Sequence, residues 1–193
     1  MKNCDFLFKG NRKYIHGTDL YRYLKKFFPI KFNYIDIKFH KQIKFQPKIL
    51  TFKKQISKID YKKTLLTCKI TSKKEKIIAF VETNIKVKKS YPYDEKLLYP
   101  NFVIKKNEAR CNFKTTLDDI DVLVSLTKYW HVKKFGKKKG QWLFSRLKLK
   151  KKLKDLDIKK IKIKNKTILF NSTINYVYVS NKLIGEIYFI FKK

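Results

Sequence analysis

Apolar and polar positions along the chain follow two periods, and the succession of periods occurs twice. Phe6 to Phe8 is a short apolar run closed by Gly10 and Asn11, the pattern of a strand and a turn. Leu20, Leu24, Phe27 and Phe28 then fall on one face at helical spacing. Thr18 or Asp19 offers an N-cap and Pro29 a stop, which predicts a helix ending near Phe28. From Ile35 the period becomes two: Ile35, Ile37, Phe39, Ile43 and Phe45 share one parity, and Asp36, Lys38, His40, Gln42 and Lys44 the other. That is one long half-buried strand ended by Pro47. Thr64 to Ile70 and Ile77 to Val87 are two further strands, joined as a hairpin by the polar turn between them.

The proline-bearing stretch from Tyr91 to Pro100 reads as a connection, after which the pattern returns. Arg110 to Lys114 is a short strand, and Thr116 caps a helix from about Leu117 to His131. Its inner stripe is Ile120, Leu123, Val124 and Thr127, with Asp118 and Asp119 at the positive end of its dipole. Gln141 to Lys150 and Ile161 to Lys164 are strands, and Ile168 to Val179 pairs with Leu183 to Phe191 around Ser180 and Asn181. Short matches support a duplication. Cys4-Asp5-Phe6 answers Cys111-Asn112-Phe113, and Lys63-Thr64-Leu65-Leu66 answers Lys166-Thr167-Ile168-Leu169. The expected fold class is α+β, two tandem strand–helix–antiparallel-sheet repeats over 1–90 and 108–193 with a connector at 91–107.

Charge adds a second question. The 193 residues carry a formal net charge of +34, the electrostatic footprint of a nucleic-acid binder. Only four of the 49 cations are arginines (Arg12, Arg22, Arg110 and Arg146), and alanine occurs only at Ala79 and Ala109. Arginine is the better fork for phosphate, so a lysine excess of this kind also fits codon bias in an AT-rich genome. Both readings of the charge stand open. In either case the field attracts acidic ligands.

One helix followed by antiparallel strands, with the unit repeated, resembles the hotdog fold, in which a curled sheet wraps a central helix. A chain with two such units resembles a double hotdog, and the resemblance covers nearly the whole length. A pair of ferredoxin-like units would need a second helix in each half, and no helical pattern lies between Ile70 and Pro92. The resemblance implies action on acyl thioesters of coenzyme A or acyl carrier protein. The dehydratases of that family set a histidine before the helix of one unit and an acid on the helix of the other. Here those places fall on His16, in the run YIHGTDL, and on Asp119 or Asp121. An imidazole near neutral pKa can remove a proton while a carboxyl group delivers one to a leaving hydroxyl. Gly17 leaves room for a backbone N–H near a thioester carbonyl. The family's usual glycine, histidine, phenylalanine, proline run is absent, since Gly-Thr-Asp follows His16. Asp119 is also read more simply as a helix N-terminal acid.

Other constellations have two readings each. The run from Lys133 to Trp142 could clamp a phosphate, with Trp142 stacking on a base; it also reads as a solvated turn beside a core tryptophan. Arg12, kept against the lysine bias, has the geometry for a phosphate or a buried carboxylate. Leu147 to Lys164 is a basic surface for RNA or lipid, or a strand with a lysine-covered face. His40 lies on a polar strand face and His131 at a helix end, where a charged imidazole suits the dipole. The three histidines are too scattered to propose a metal, and no cofactor motif occurs. Three cysteines without CxxC spacing point to a reducing compartment. No apolar run approaches the roughly 18 residues of a membrane span, so a cytoplasmic location is expected.

Together these imply an acyl-thioester binding protein, with 3-hydroxyacyl-[acyl carrier protein] dehydration as its finer form. His16 is then the base and Asp119 or Asp121 the acid. Arg12, Lys137, Lys138 and Lys139 hold the carrier's phosphopantetheine or an acyl-CoA. Partners of this reading are acyl carrier protein or acyl-CoA, with a homodimer open. The alternative is a basic RNA-binding or ribosome-associated protein without catalysis.

Overall fold

The structure is a computed structural model that describes residues 5–29, 31–53, 60, 62–111, 117–136, 139–151, 153 and 160–193. The chain divides into two compact units, Met1–Asp94 and Glu95–Lys193. Each has the expected α+β composition of short strand, helix and antiparallel strands.

In the first unit β1 (Phe8–Lys9) pairs in parallel with β6 (Ser90–Tyr91). Helix α1 (Gly17–Lys25) follows β1. It buries Leu20, Tyr21 and Leu24, the face its spacing predicted with one tyrosine added. The strands β2 (Tyr34–Phe39), β3 (Lys48–Lys53), β4 (Thr64–Thr71) and β5 (Glu75–Val81) run in the order β3-β5-β4-β2, all antiparallel. Tyr23 on α1 packs edge-on against Phe80 of β5, and Phe6 closes on both rings.

The long strand expected from Ile35 to Phe45 is shorter. β2 stops at Phe39, and Ile43 and Phe45 make isolated bridges to Ile15 and Lys86. Ile35, Ile37 and Ile43 are still buried as their parity required. Beyond Pro47 the chain forms β3, which the pattern did not predict.

The second unit begins with a 3-10 helix (Glu95–Asn101) and the pair β7 (Phe102–Ile104) and β8 (Glu108–Cys111). Helix α2 (Asp119–Phe135) comes next, then β9 (Gln141–Leu149), β10 (Ile161–Leu169), β11 (Ser172–Val179) and β12 (Lys182–Lys192). The strand order is β9-β12-β11-β10-β8-β7. The two units share their order of elements but not their sheet order, because β2 neighbours the third of its strands and β9 the fourth. The sequence overlay that aligned β4 with the end of β10 therefore joins strands in different sheet positions.

Helix α2 is buried on nearly every side: every residue from Asp119 to Thr127 is buried, as are Trp130 and His131. Polar side chains inside such an environment need partners, and Thr127 and His131 have them. The Thr127 hydroxyl donates to the Leu123 carbonyl at 2.7 Å. His131 Nδ1 lies 2.7 Å from the Thr127 carbonyl, which can only accept, so the imidazole proton is on Nδ1. Nε2 then accepts from the Thr173 hydroxyl of β11 at 2.5 Å. Asn175 Nδ2 donates to the Thr173 oxygen and Asn165 Nδ2 donates to the Asn175 carbonyl, both at 3.2 Å. All the hydrogens of this relay run one way.

His131 thus corrects the sequence reading. The helix runs four residues past it, and the ring is a neutral core group stacked on Trp142 at 4.2 Å between centroids. Burial pushes its pKa down to about 3, against a smaller opposing effect of the Thr127 bond. Trp142 is engaged in the same way and is not an open stacking surface.

At Gly185 the ladder between β12 and β9 comes close: a Cβ would lie 2.0 Å from the Lys148 carbonyl oxygen. Two predictions follow from this packing. Gly185→Ala should cost about 2 kcal/mol or more in chemical denaturation, since backbone and not a flexible side chain must yield. His131 sits well below its unfolded value of 6.5, so its contribution is complete above that pH and is lost as pH falls toward 3. Between pH 7.5 and 5.5 one proton taken up on unfolding costs about 1.4 kcal/mol of stability. His131→Gln should remove that part of the slope in urea melts at the two pH values.

Candidate functional site

The first unit carries a compact polar cluster where β1, α1 and β6 meet. Gly10, at φ +59°, turns the chain after β1, and a Cβ there would stand 2.9 Å from the Tyr93 carbonyl oxygen. The turn leaves Lys9 fully buried. Its ammonium donates to Thr18 Oγ1 at 3.0 Å and lies 3.8 Å from the centroid of the Tyr93 ring. A buried lysine charge is costly unless bonded, and the hydroxyl and the aromatic face both answer that need.

Thr18 passes the contact on, its hydroxyl oxygen lying 2.8 Å from Nδ1 of His16. His16 is the N-cap of α1, with extended backbone and Nδ1 accepting from the Thr18 N–H. The cap expected at Thr18 or Asp19 lies two or three residues earlier, at His16. With Nδ1 as an acceptor, the neutral imidazole carries its hydrogen on Nε2. The ring therefore presents an N–H donor beside the positive end of a helix.

Arg12 joins this cluster, its guanidinium donating to the Lys9 carbonyl at 3.2 Å and lying over the Tyr93 ring. On α1, Asp19 holds an ion pair with Arg22 and accepts from the Tyr91 hydroxyl at 2.8 Å. Burial, and then the Asp19 carboxylate, push the Tyr91 phenol well above its usual range. Lys9, Tyr91 and Tyr93 were not singled out in the sequence, and Thr18 only as a helix cap. No residue signal marks one buried lysine among so many.

In the second unit the N-cap of α2 is Asp118, whose carboxylate accepts from the Ile120 N–H at 3.4 Å. The expected cap, Thr116, lies outside the described residues. Asp119 and Asp121 follow in the first turn, and both are buried. The structure therefore gives the simple helix-terminal role to Asp118 and sinks the two proposed acids into the core of the unit. Lys139 is exposed in the turn before β9, and Lys137 and Lys138 lie outside the described residues. Among the described residues no group of three or more His, Cys, Asp or Glu could hold a metal ion.

The solvent side of β9 to β12 carries Tyr176, Tyr178 and Tyr188 among lysines, as a nucleic-acid platform would. Each ring already has a cation over it. Lys166 lies 5.0 Å from Tyr176, Lys162 5.1 Å from Tyr178, and Lys148 5.4 Å from Tyr188, which Arg146 also covers. Glu186 sits among them, bonded by Lys166 and Tyr188. Burial works against its ionisation, but those bonds hold its carboxyl below the usual range.

No family model matches the chain, and no curated protein matches it in sequence. Among solved structures it is similar to a TesB protein of Mycobacterium avium subspecies paratuberculosis, at 8% identity, 93% coverage of this chain and 88% of that one, with a TM-score of 0.46. It is similar to an acyl-CoA thioesterase II of Mycobacterium marinum at 6% identity, with 91% and 86% coverage and a TM-score of 0.40. A conserved hot dog fold protein of Alicyclobacillus acidocaldarius is similar at 8% identity, with 95% and 89% coverage and a TM-score of 0.45.

Proposed function

We propose that this chain handles acyl thioesters and that the thioester carbonyl is met by His16 at the N-terminus of α1. The observation that carries the reading is the Lys9–Thr18–His16 relay. A buried ammonium fixes a hydroxyl, the hydroxyl fixes the imidazole tautomer, and Nε2 carries the hydrogen that would polarise a carbonyl oxygen. Preorganised donors of this kind act where charge develops in acyl transfer. The carrier of the acyl group is coenzyme A or an acyl carrier protein, whose phosphates and acidic surface suit a chain of net charge +34. Arg12 and Lys139 are the described residues proposed to meet them.

The finer reading is 3-hydroxyacyl dehydration. It assigns His16 the removal of the proton beside the carbonyl and Asp119 or Asp121 the protonation of the departing hydroxyl, giving an enoyl thioester and water. For that step Nε2 must be free of its hydrogen. The Thr18 hydroxyl must then turn so that Nδ1–H donates to it.

A conservative substitution separates these roles. Asparagine is among the best N-caps, so His16→Asn should keep α1 and the melting temperature while removing the Nε2 donor. Turnover of acyl-CoA thioesters should then fall about a hundredfold or more. Release of free thiol reports hydrolysis, and appearance of the conjugated enoyl chromophore reports dehydration. Asp119→Asn and Asp121→Asn should abolish the second signal if the dehydratase reading holds and leave thioester binding in place. A His16→Asn protein that turns over acyl-CoA at the wild-type rate would sink the proposal, as would a wild-type protein that binds no acyl-CoA.

A further inference from the structure

The turn between β10 and β11 breaks an ordinary rule of protein surfaces. Ile168, Leu169 and Phe170 are consecutive, apolar and exposed, at 44%, 52% and 108% of their reference areas. Runs of exposed apolar residues are avoided unless something covers them. Phe170 also adopts φ +37°. A bulky aromatic residue is disfavoured in that region, where asparagine or glycine is the usual occupant. An asparagine stands next to it at Asn171, so the turn places the aromatic residue at an unfavourable backbone position with its ring wholly in solvent.

The register extends the patch inward. Leu169 pairs with Ser172, Ser172 with Ile190, and Ile190 with Leu143. Residues directly paired across strands share a sheet face, so Leu169, Ile190 and Leu143 lie on one face behind the turn, with the small Ser172 between Leu169 and Ile190. Lys192 follows Ile190 on the same face of β12, pairs with Gln141, and is exposed, as are Lys139 and Lys193 at that end of the sheet.

We infer that this end of the second unit is an interfacial docking site for an anionic lipid bilayer. Phe170, Leu169 and Ile168 enter the headgroup boundary, and Lys139, Lys192 and Lys193 meet the lipid charge. An apolar tip with a basic collar has the two components of peripheral membrane attachment, buried apolar area and attraction to acidic headgroups. A nucleic acid fits the same residues less well. Phe170 alone offers an open stacking face; isoleucine and leucine offer none, and the nearby tyrosines are already covered by cations. This inference does not depend on the thioester reading, whose histidine lies in the first unit; of the residues named here only Lys139 is shared with it.

The test uses the full chain and vesicles of phosphatidylcholine, with and without phosphatidylserine, in a flotation assay. The wild-type protein should float with the mixed vesicles and scarcely with phosphatidylcholine alone. Phe170→Asn is the informative variant. Asparagine suits the positive φ, so the melting temperature should hold or rise, while vesicle affinity should drop about tenfold for the lost aromatic burial. Lys192→Glu with Lys193→Glu should weaken binding to the mixed vesicles only. Several results would overturn the inference: no flotation of the wild type, or Phe170→Asn binding vesicles as tightly as wild type. So would an effect of Phe170→Asn confined to self-association in sedimentation velocity, or to binding of single-stranded RNA.

Discussion

The bond from the Thr173 hydroxyl to the His131 imidazole fastens a fully buried helix to its sheet, and much of the second unit is arranged around it. A helix sunk on nearly every side cannot leave a polar group to water, so each must be answered inside. Thr127 answers one ring nitrogen from the helix itself and Thr173 answers the other from β11. Asn175 and Asn165 continue the chain across two strands. Hydrogen direction is uniform along the relay, so a proton added at His131 would set two donors against each other at Thr173. The ring is therefore useful to the fold only while neutral, and the rings of Trp142 and Phe189 exclude the water that would charge it.

The first unit solves a related problem with a charged group instead of a neutral one. Lys9 is as deeply buried as His131, yet it is held by a hydroxyl and an aromatic face. What that arrangement delivers at the surface of α1 is a fixed imidazole tautomer. The candidate site in this unit thus rests on a core interaction, and His16, the side chain proposed to carry chemistry, is the most accessible member of the series.

Much of this was legible in the periods of the sequence. The inner stripes of α1 and α2 are buried where their spacing put them, and the parity of Ile35, Ile37 and Ile43 is kept even where the strand is not. The sheet order was not legible, because alternation tells a strand its face but not its neighbour. β3 went unseen: Pro47 reads as an end, while the strand it precedes buries little. The break at Phe170 was missed because nothing in Leu-Phe-Asn-Ser advertises a phenylalanine at positive φ. At the site, His16 was visible by its place before a helix. Lys9 was hidden among its own kind, and Asp118 was masked as the cap by Thr116, a residue also favoured at caps, two positions earlier.

The turns of the second unit bear on how its chain collapses. β10, β11 and β12 form an unbroken meander, its links closed by Phe170-Asn171 and by Ser180-Asn181, the latter pair at φ 51° and 63°. Loops this short lose little entropy on closure, and paired positive φ values match the twist of the strands they join. In the first unit β3 must wait for β4 and β5 to be laid down before it finds its neighbour. The β10–β12 meander should therefore form ahead of the pairing of β3. Pulsed hydrogen exchange would record this as β11 amides protected ahead of those in β3, and the reverse order would refute it.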